Sequence, residues 1–357
     1  MKIGLVDCFG LAALVGIASV TPAFGLVSID YVVVGDPGNA ADTVLPASPR
    51  GAVDYTYQIG KYEVTNGQYA QFLNAVAKTD AYSLYNPSMG NAALRGGITQ
   101  TGSNGSYRYT ANTYMENRPV NYVSWFDAAR FTNWMHNGQG SGSTETGAYT
   151  LNGAMTGKDF VVQAGAKVWI PSANEWYKAA YYDPTKSATQ GGTNYWLYPT
   201  RSDTAPTQAA VSIADKTTST GIIINSGTNV ANYSESTLAK MPIYYAPGRV
   251  TRGYVTVVGS AGAASASYYG TFDQGGNVAE WNDNPSPTSM QRGLLGGAWS
   301  NPEAMLRSDG VYQTGPYLGV SLETDDVGFR VASVPESTSM VLALFAGAVL
   351  LTRRRRA

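Results

Sequence analysis

Three times in this chain a hydroxyl residue stands three positions ahead of Gln, Asp or Glu, at the head of a run with helical apolar spacing. The pairs are Thr65 with Gln68, Ser124 with Asp127 and Ser172 with Glu175. In each, the hydroxyl can accept from the first-turn backbone while the longer side chain returns to the N–H of the cap, so each pair predicts a helix start. The predicted helices run from Thr65 to Ala77, from Ser124 to Met135 with Asn137-Gly138 ending it, and from Ser172 to a stop imposed by Pro184. Phe131, Trp134 and Met135 have helical spacing and are expected to face the core. The remainder offers short strand candidates, such as "YQIGKYEVT" and "GFRVASV", in long connections rich in Gly, Ser, Thr and Asn. No periodic repeat or low-complexity linker divides Ile29 to Ser333. Few regular elements among long loops predict a single-domain α+β fold whose loops need added stabilisation, which a bound cation would supply.

Composition narrows the partners. Charged residues make up 14% of the 357, against about 25% in an average domain. Net charge is -1 and no basic stripe precedes the last few residues, so nucleic acid is not an expected partner. The 40 glycines and 25 tyrosines suit a loop-rich fold with aromatic layers.

The chain has one cysteine, Cys8, and one histidine, His136. Cys8 lies in "MKIGLVDCFGLAALVGIASVTPAFG", which reads as a secretory signal peptide over residues 1–25. Its removal would leave no thiol for a disulfide, a thiolate metal site or a cysteine nucleophile. A Ser-His-Asp triad would have to use His136. That residue closes the second predicted helix, where a cationic side chain complements exposed carbonyls.

At the other end, "VPESTSMVLALFAGAVLLTRRRRA" joins a Pro-Glu-Ser turn, an apolar run from Met340 to Leu351 and four arginines, Arg353 to Arg356. The predicted membrane segment, 340–352, is short beside the roughly 20 residues of a spanning helix. The arginines are expected to stay cytoplasmic. Residues 334–357 resemble the PEP-CTERM sorting signals of Gram-negative bacteria, although Val334-Pro335-Glu336-Ser337 lacks the usual second proline. That resemblance implies an exosortase-type protease as partner and export across the inner membrane. Transient anchoring would be followed by release to the envelope, surface or extracellular matrix. An ordinary membrane anchor is the other reading.

The stretch "YGTFDQGGNVAEW", Tyr269 to Trp281, admits two readings. Asp273 and Glu280 bracket Gly275, Gly276, Asn277, Val278 and Ala279, so carboxylate and carbonyl oxygens could surround one hard cation. Equally, the glycines could serve only a turn between solvated carboxylates.

Several blocks in fixed order carry a resemblance over Ile29 to Ser333. "YQIGKYEVTNGQYAQFLNAV", "NRPVNYVSWFDAARFTNWM", "WIPSANEWYKAAYY", "YGTFDQGGNVAEW", "GLLGGAWS" and "DDVGFRVAS" are similar to the successive blocks of the formylglycine-generating-enzyme, or sulfatase-modifying-factor, domain. The resemblance implies a loop-rich variant of the C-type-lectin fold with bound calcium. It implies calcium ligands at Asp273, the carbonyls of Gly276 and Val278, and Glu280, with Ala279 where an aromatic is usual. A second family site would begin at Asn232 and Tyr233, but its later aspartate falls near Arg252, which speaks against it. Family oxidases carry two copper-binding cysteines after a Gly-Gly-Ser-aromatic stretch. Here the stretch is Gly296-Gly297-Ala298-Trp299, with Ala298 at the active-site serine and Asn301 and Leu306 at the cysteine positions. Neither can supply a thiolate, so no copper is expected. The histidine cluster of the related iron-dependent sulfoxide synthases is also missing. The expectation is therefore a non-catalytic, calcium-stabilised recognition module, with Trp281 and Trp299 either lining a cleft for peptide or glycan or simply part of the core. The alternative is an enzyme acting through other residues, such as Asp283 or Glu303.

Overall fold

The three capping boxes close as the sequence predicts. Thr65 Oγ1 accepts from Gln68 N at 3.3 Å while Gln68 Oε1 accepts from Thr65 N at 2.9 Å, opening α1, Asn66–Val76. Ser124 and Asp127 do the same for α2, Trp125–His136, and Ser172 and Glu175 for α3, Ala173–Tyr181. The computed structural model describes residues 25–335 apart from 46–47, 92–94, 187–192, 213–219, 235–242, 247–248, 253, 287–289 and 311–316. Residues 1–24 of the predicted signal peptide and the predicted sorting tail beyond Pro335 therefore lie outside the described residues. Among those described, no helix is long and apolar enough to cross a membrane.

Two four-stranded sheets organise the domain. The first places Ala332–Ser333 between Tyr57–Gly60 and Val168–Trp169, with Tyr31–Val34 at the edge, all antiparallel. The second runs Tyr317–Gly319, Gln291–Leu295, Ala279–Pro285, Val327–Gly328, the last pair parallel. Both strand candidates prove shorter than the quoted stretches. Only Tyr57–Gly60 of the first joins a sheet, because the chain after it bends toward the Thr65 cap. The second is divided: Val327–Gly328 belongs to one sheet and Ala332–Ser333 to the other. Arg330 sits in the crossing between them.

Phe72 of α1, Phe131 of α2 and Phe329 of this crossing are fully buried and stack edge to face, with centroids 5.4 Å apart in both contacts. Such pairs add about 0.5–1.5 kcal/mol each beyond the area they bury. Trp134 is buried in the same cluster and Met135 packs at its margin, as their spacing predicts.

His136 departs from expectation. It does end α2, but its Nδ1 accepts from Lys167 N at 3.0 Å, which requires a neutral ring. Burial, and then the charge of Lys167, hold its pKa below the ordinary value. It is a neutral link between α2 and the following loop, not a cationic cap.

Candidate functional site

The loop before the strand Ala279–Pro285 is shaped by left-handed backbone. Asp273, Gly276 and Asn277 have φ of 59, 90 and 62°. At Gly276 a side chain is impossible twice over, since a Cβ would also stand 2.1 Å from Asn232 O. Asn277 locks the turn: its Oδ1 accepts from Thr256 N at 2.8 Å and its Nδ2 donates to Glu63 Oε1 at 3.0 Å. Asn232, considered for a second calcium site, braces this loop, donating from Nδ2 to Tyr254 O and Asn277 Oδ1, while its buried Oδ1 has no hydrogen-bond partner.

Sequence reasoning missed two members of the cluster that results. Glu280 is fully buried, and Arg330 grips it through Nε and Nη2, both at 2.6 Å, while Trp176 Nε1 donates to it at 2.7 Å. Glu63, also buried, faces the same group; its Oε2 has no hydrogen-bond partner. Two buried carboxylates, Glu63 and Glu280, and the half-buried Asp273 thus face one guanidinium. Burial pushes Asp273 up to about 6, and pushes Glu63 well above the carboxylate range with the charge of Asp273 adding to the effect.

The fit of a cation follows from that balance. The donors are all oxygen and the cluster carries excess negative charge, which suits a hard divalent ion. Glu280, however, already accepts three hydrogen bonds, leaving one of about four lone-pair positions for a metal. Among the described residues, no three or more His, Cys, Asp or Glu side chains are grouped to hold a metal ion. A cation here would rest on Asp273, that remaining position on Glu280, and the carbonyls of Gly276 and Val278.

At the two positions aligned with the oxidase cysteines, the structure places apolar packing and a local turn. Leu306 is fully buried among Tyr198, Ala231 and Tyr233, an apolar cluster. Asn301 turns its Oδ1 to Ala298 N at 2.9 Å, stabilising the turn after Trp299. Trp281 and Trp299 do not line a cleft. Trp281 is fully buried with Nε1 donated to Val123 O, and Trp299 is 4% exposed beneath the Arg95 guanidinium. The core reading therefore holds for both; the sequence shows their type but not the layers above them, so it left cleft and core open.

The aromatic surface lies elsewhere. An open cavity of about 570 Å³ is bounded by Tyr55, the 162–166 turn, Trp169 and the head of α3. Glu175 and Asp283 stand at its base. Asp283 pairs with Arg292, itself stacked 4.1 Å from the Trp125 ring centroid, and burial pushes the Asp283 carboxyl up to about 7. Glu303 lies apart from this cavity, on the short helical turn Glu303–Leu306.

Among solved structures, three similar chains are "Crystal Structure of CarF", "Treponema denticola variable protein 1" and "Structure of PvdO from Pseudomonas aeruginosa". Their identities are 18, 17 and 14%, with TM-scores of 0.47, 0.45 and 0.40. The alignments cover 87, 88 and 86% of this chain and 99, 100 and 92% of theirs. Among curated proteins there is no match. The Sulfatase-modifying factor enzyme 1-like domain matches residues 31–334, and the chain belongs to that family.

Proposed function

We propose that this protein is an exported binding module of the sulfatase-modifying factor family that does not form formylglycine. The observation that carries this reading is the pair Asn301 and Leu306. One is an amide spent on a local turn and the other a leucine sealed in an apolar cluster. Neither position can offer the thiolate that would hold Cu(I) as the family's paired cysteines do. Incubation with copper, oxygen and a cysteine-containing sulfatase-type peptide should leave the cysteine unchanged by mass spectrometry. Copper-dependent conversion to the aldehyde would overturn the proposal.

Calcium is proposed as a structural ion at the 273–280 loop. When bound, it would supply positive charge to a carboxylate cluster that Arg330 alone underbalances. The chain's own part is to fix the oxygens: Gly276 admits the close approach of Asn232, and Asn277 ties the turn to Glu63.

Export and sorting rest on the two chain ends. The thin, apolar leader and the Pro335-Glu336, apolar and arginine tail support passage through the inner membrane and release by an exosortase-type protease. Expression with and without such a protease should give two different C-terminal masses. An intact tail in both hosts would contradict the sorting proposal.

A further inference from the structure

The cavity beside α3 has a base unlike its walls. Glu175 is 1% exposed, yet its carboxylate is held by neutral donors: Tyr55 OH at 3.0 Å, Trp169 Nε1 at 3.2 Å to both oxygens, and Ser172 N at 2.7 Å. These bonds satisfy the oxygens without cancelling the charge. Asp283, by contrast, has Arg292 as counter-ion. The Glu175 charge therefore has no ion-pair partner of its own, beneath a largely apolar lining that weakens solvent screening.

The same carboxylate sets the walls. By accepting from both Tyr55 and Trp169, Glu175 fixes two aromatic rings at the cavity mouth, and donation to an anion makes each ring more electron-rich. Tyr55 is 52% exposed, so its ring remains available to a ligand. Electron-rich ring faces above an uncompensated carboxylate attract a cation with an apolar stem. Among the described residues that line the cavity, none is a lysine or arginine that would fill that role.

We propose that this cavity binds an organic cation of the alkylammonium or alkylguanidinium class, such as the side chain of a lysine or arginine presented by a peptide. The ring faces would hold the stem and head, and Glu175 would supply the long-range attraction without direct contact. This rests on the binding-module reading and gives it a ligand class and a place, away from the Asn301 and Leu306 positions.

Trp169 fluorescence and calorimetry would test it on the full chain. The probes are a lysine-containing tripeptide, its norleucine counterpart, free butylammonium and a neutral oligosaccharide. The lysine peptide should bind and the norleucine peptide should not; butylammonium binding as tightly as the peptide would assign the site to free amines. Tyr55→Ala should weaken binding about tenfold by removing one ring, with a melting curve to show that the fold survives loss of this donor to Glu175. Glu175→Gln should weaken it further, with the melting curve showing whether the α3 cap survives. Equal binding of the norleucine peptide, binding of the oligosaccharide alone, or no binding at all would overturn the proposal. Copper-dependent peptide oxidation would instead remove the module reading while leaving cation binding at this cavity measurable.

Discussion

Asp273 shows how one residue can be read correctly in kind and incompletely in setting. Its place before two glycines marked it as a ligand candidate, and the structure puts it in a buried loop with φ of 59°, its Oδ2 accepting from Gly259 N at 2.6 Å. Of the charges facing it, Glu280 belongs to its own stretch and was named with it, while Glu63 and Arg330 come from separate stretches that no local pattern could announce. Their effect has a definite sign. Asp273 titrates near 6 when folded and near the ordinary carboxylate value when unfolded. Its contribution is intact below about pH 4 and is lost as pH rises through about 6, where the folded state must bury a charge. Metal-free wild type should therefore lose stability relative to Asp273→Asn as pH rises from 5 to 8, followed by urea unfolding in EDTA. Added calcium should close that gap at pH 8. A wild type that gains on the variant across this range in EDTA would contradict the charge balance described.

At the scale of elements, the helices were legible and the sheets were not. A capping box is complete within four residues, so Thr65, Ser124 and Ser172 declare their helices locally. A strand declares only its alternation. Nothing in "GFRVASV" reveals that Val327–Gly328 and Ala332–Ser333 serve different sheets, or that Arg330 between them reaches Glu280. That crossing changes what a mutation at Glu280 means. Glu280→Gln removes the charge of the carboxylate that hydrogen-bonds Arg330, a loss of about 3–5 kcal/mol for a broken buried pair. The loss should appear in calcium and in EDTA alike, measured by denaturant midpoints. Destabilisation confined to calcium-containing buffer would mean that Glu280 serves the ion alone and that the Arg330 pair is inconsequential.

Across the whole molecule, the block order revealed the domain, while burial decided what its residues can do. By type alone Trp281 and Trp299 could line a cleft or fill the core; the core takes both, and the accessible rings belong to Tyr55 and Trp169. Leu306 shows the same from the other side: its identity excluded a thiolate, and its enclosure by Tyr198, Ala231 and Tyr233 shows the position rebuilt as core. The central claim is that this domain has kept the family's frame and given up its copper centre. Titration of the purified protein with Cu(I) against a chromophoric copper chelator tests this without knowledge of any substrate. The protein should withdraw no copper from the chelator. Stoichiometric withdrawal, one Cu(I) per chain, would contradict the account.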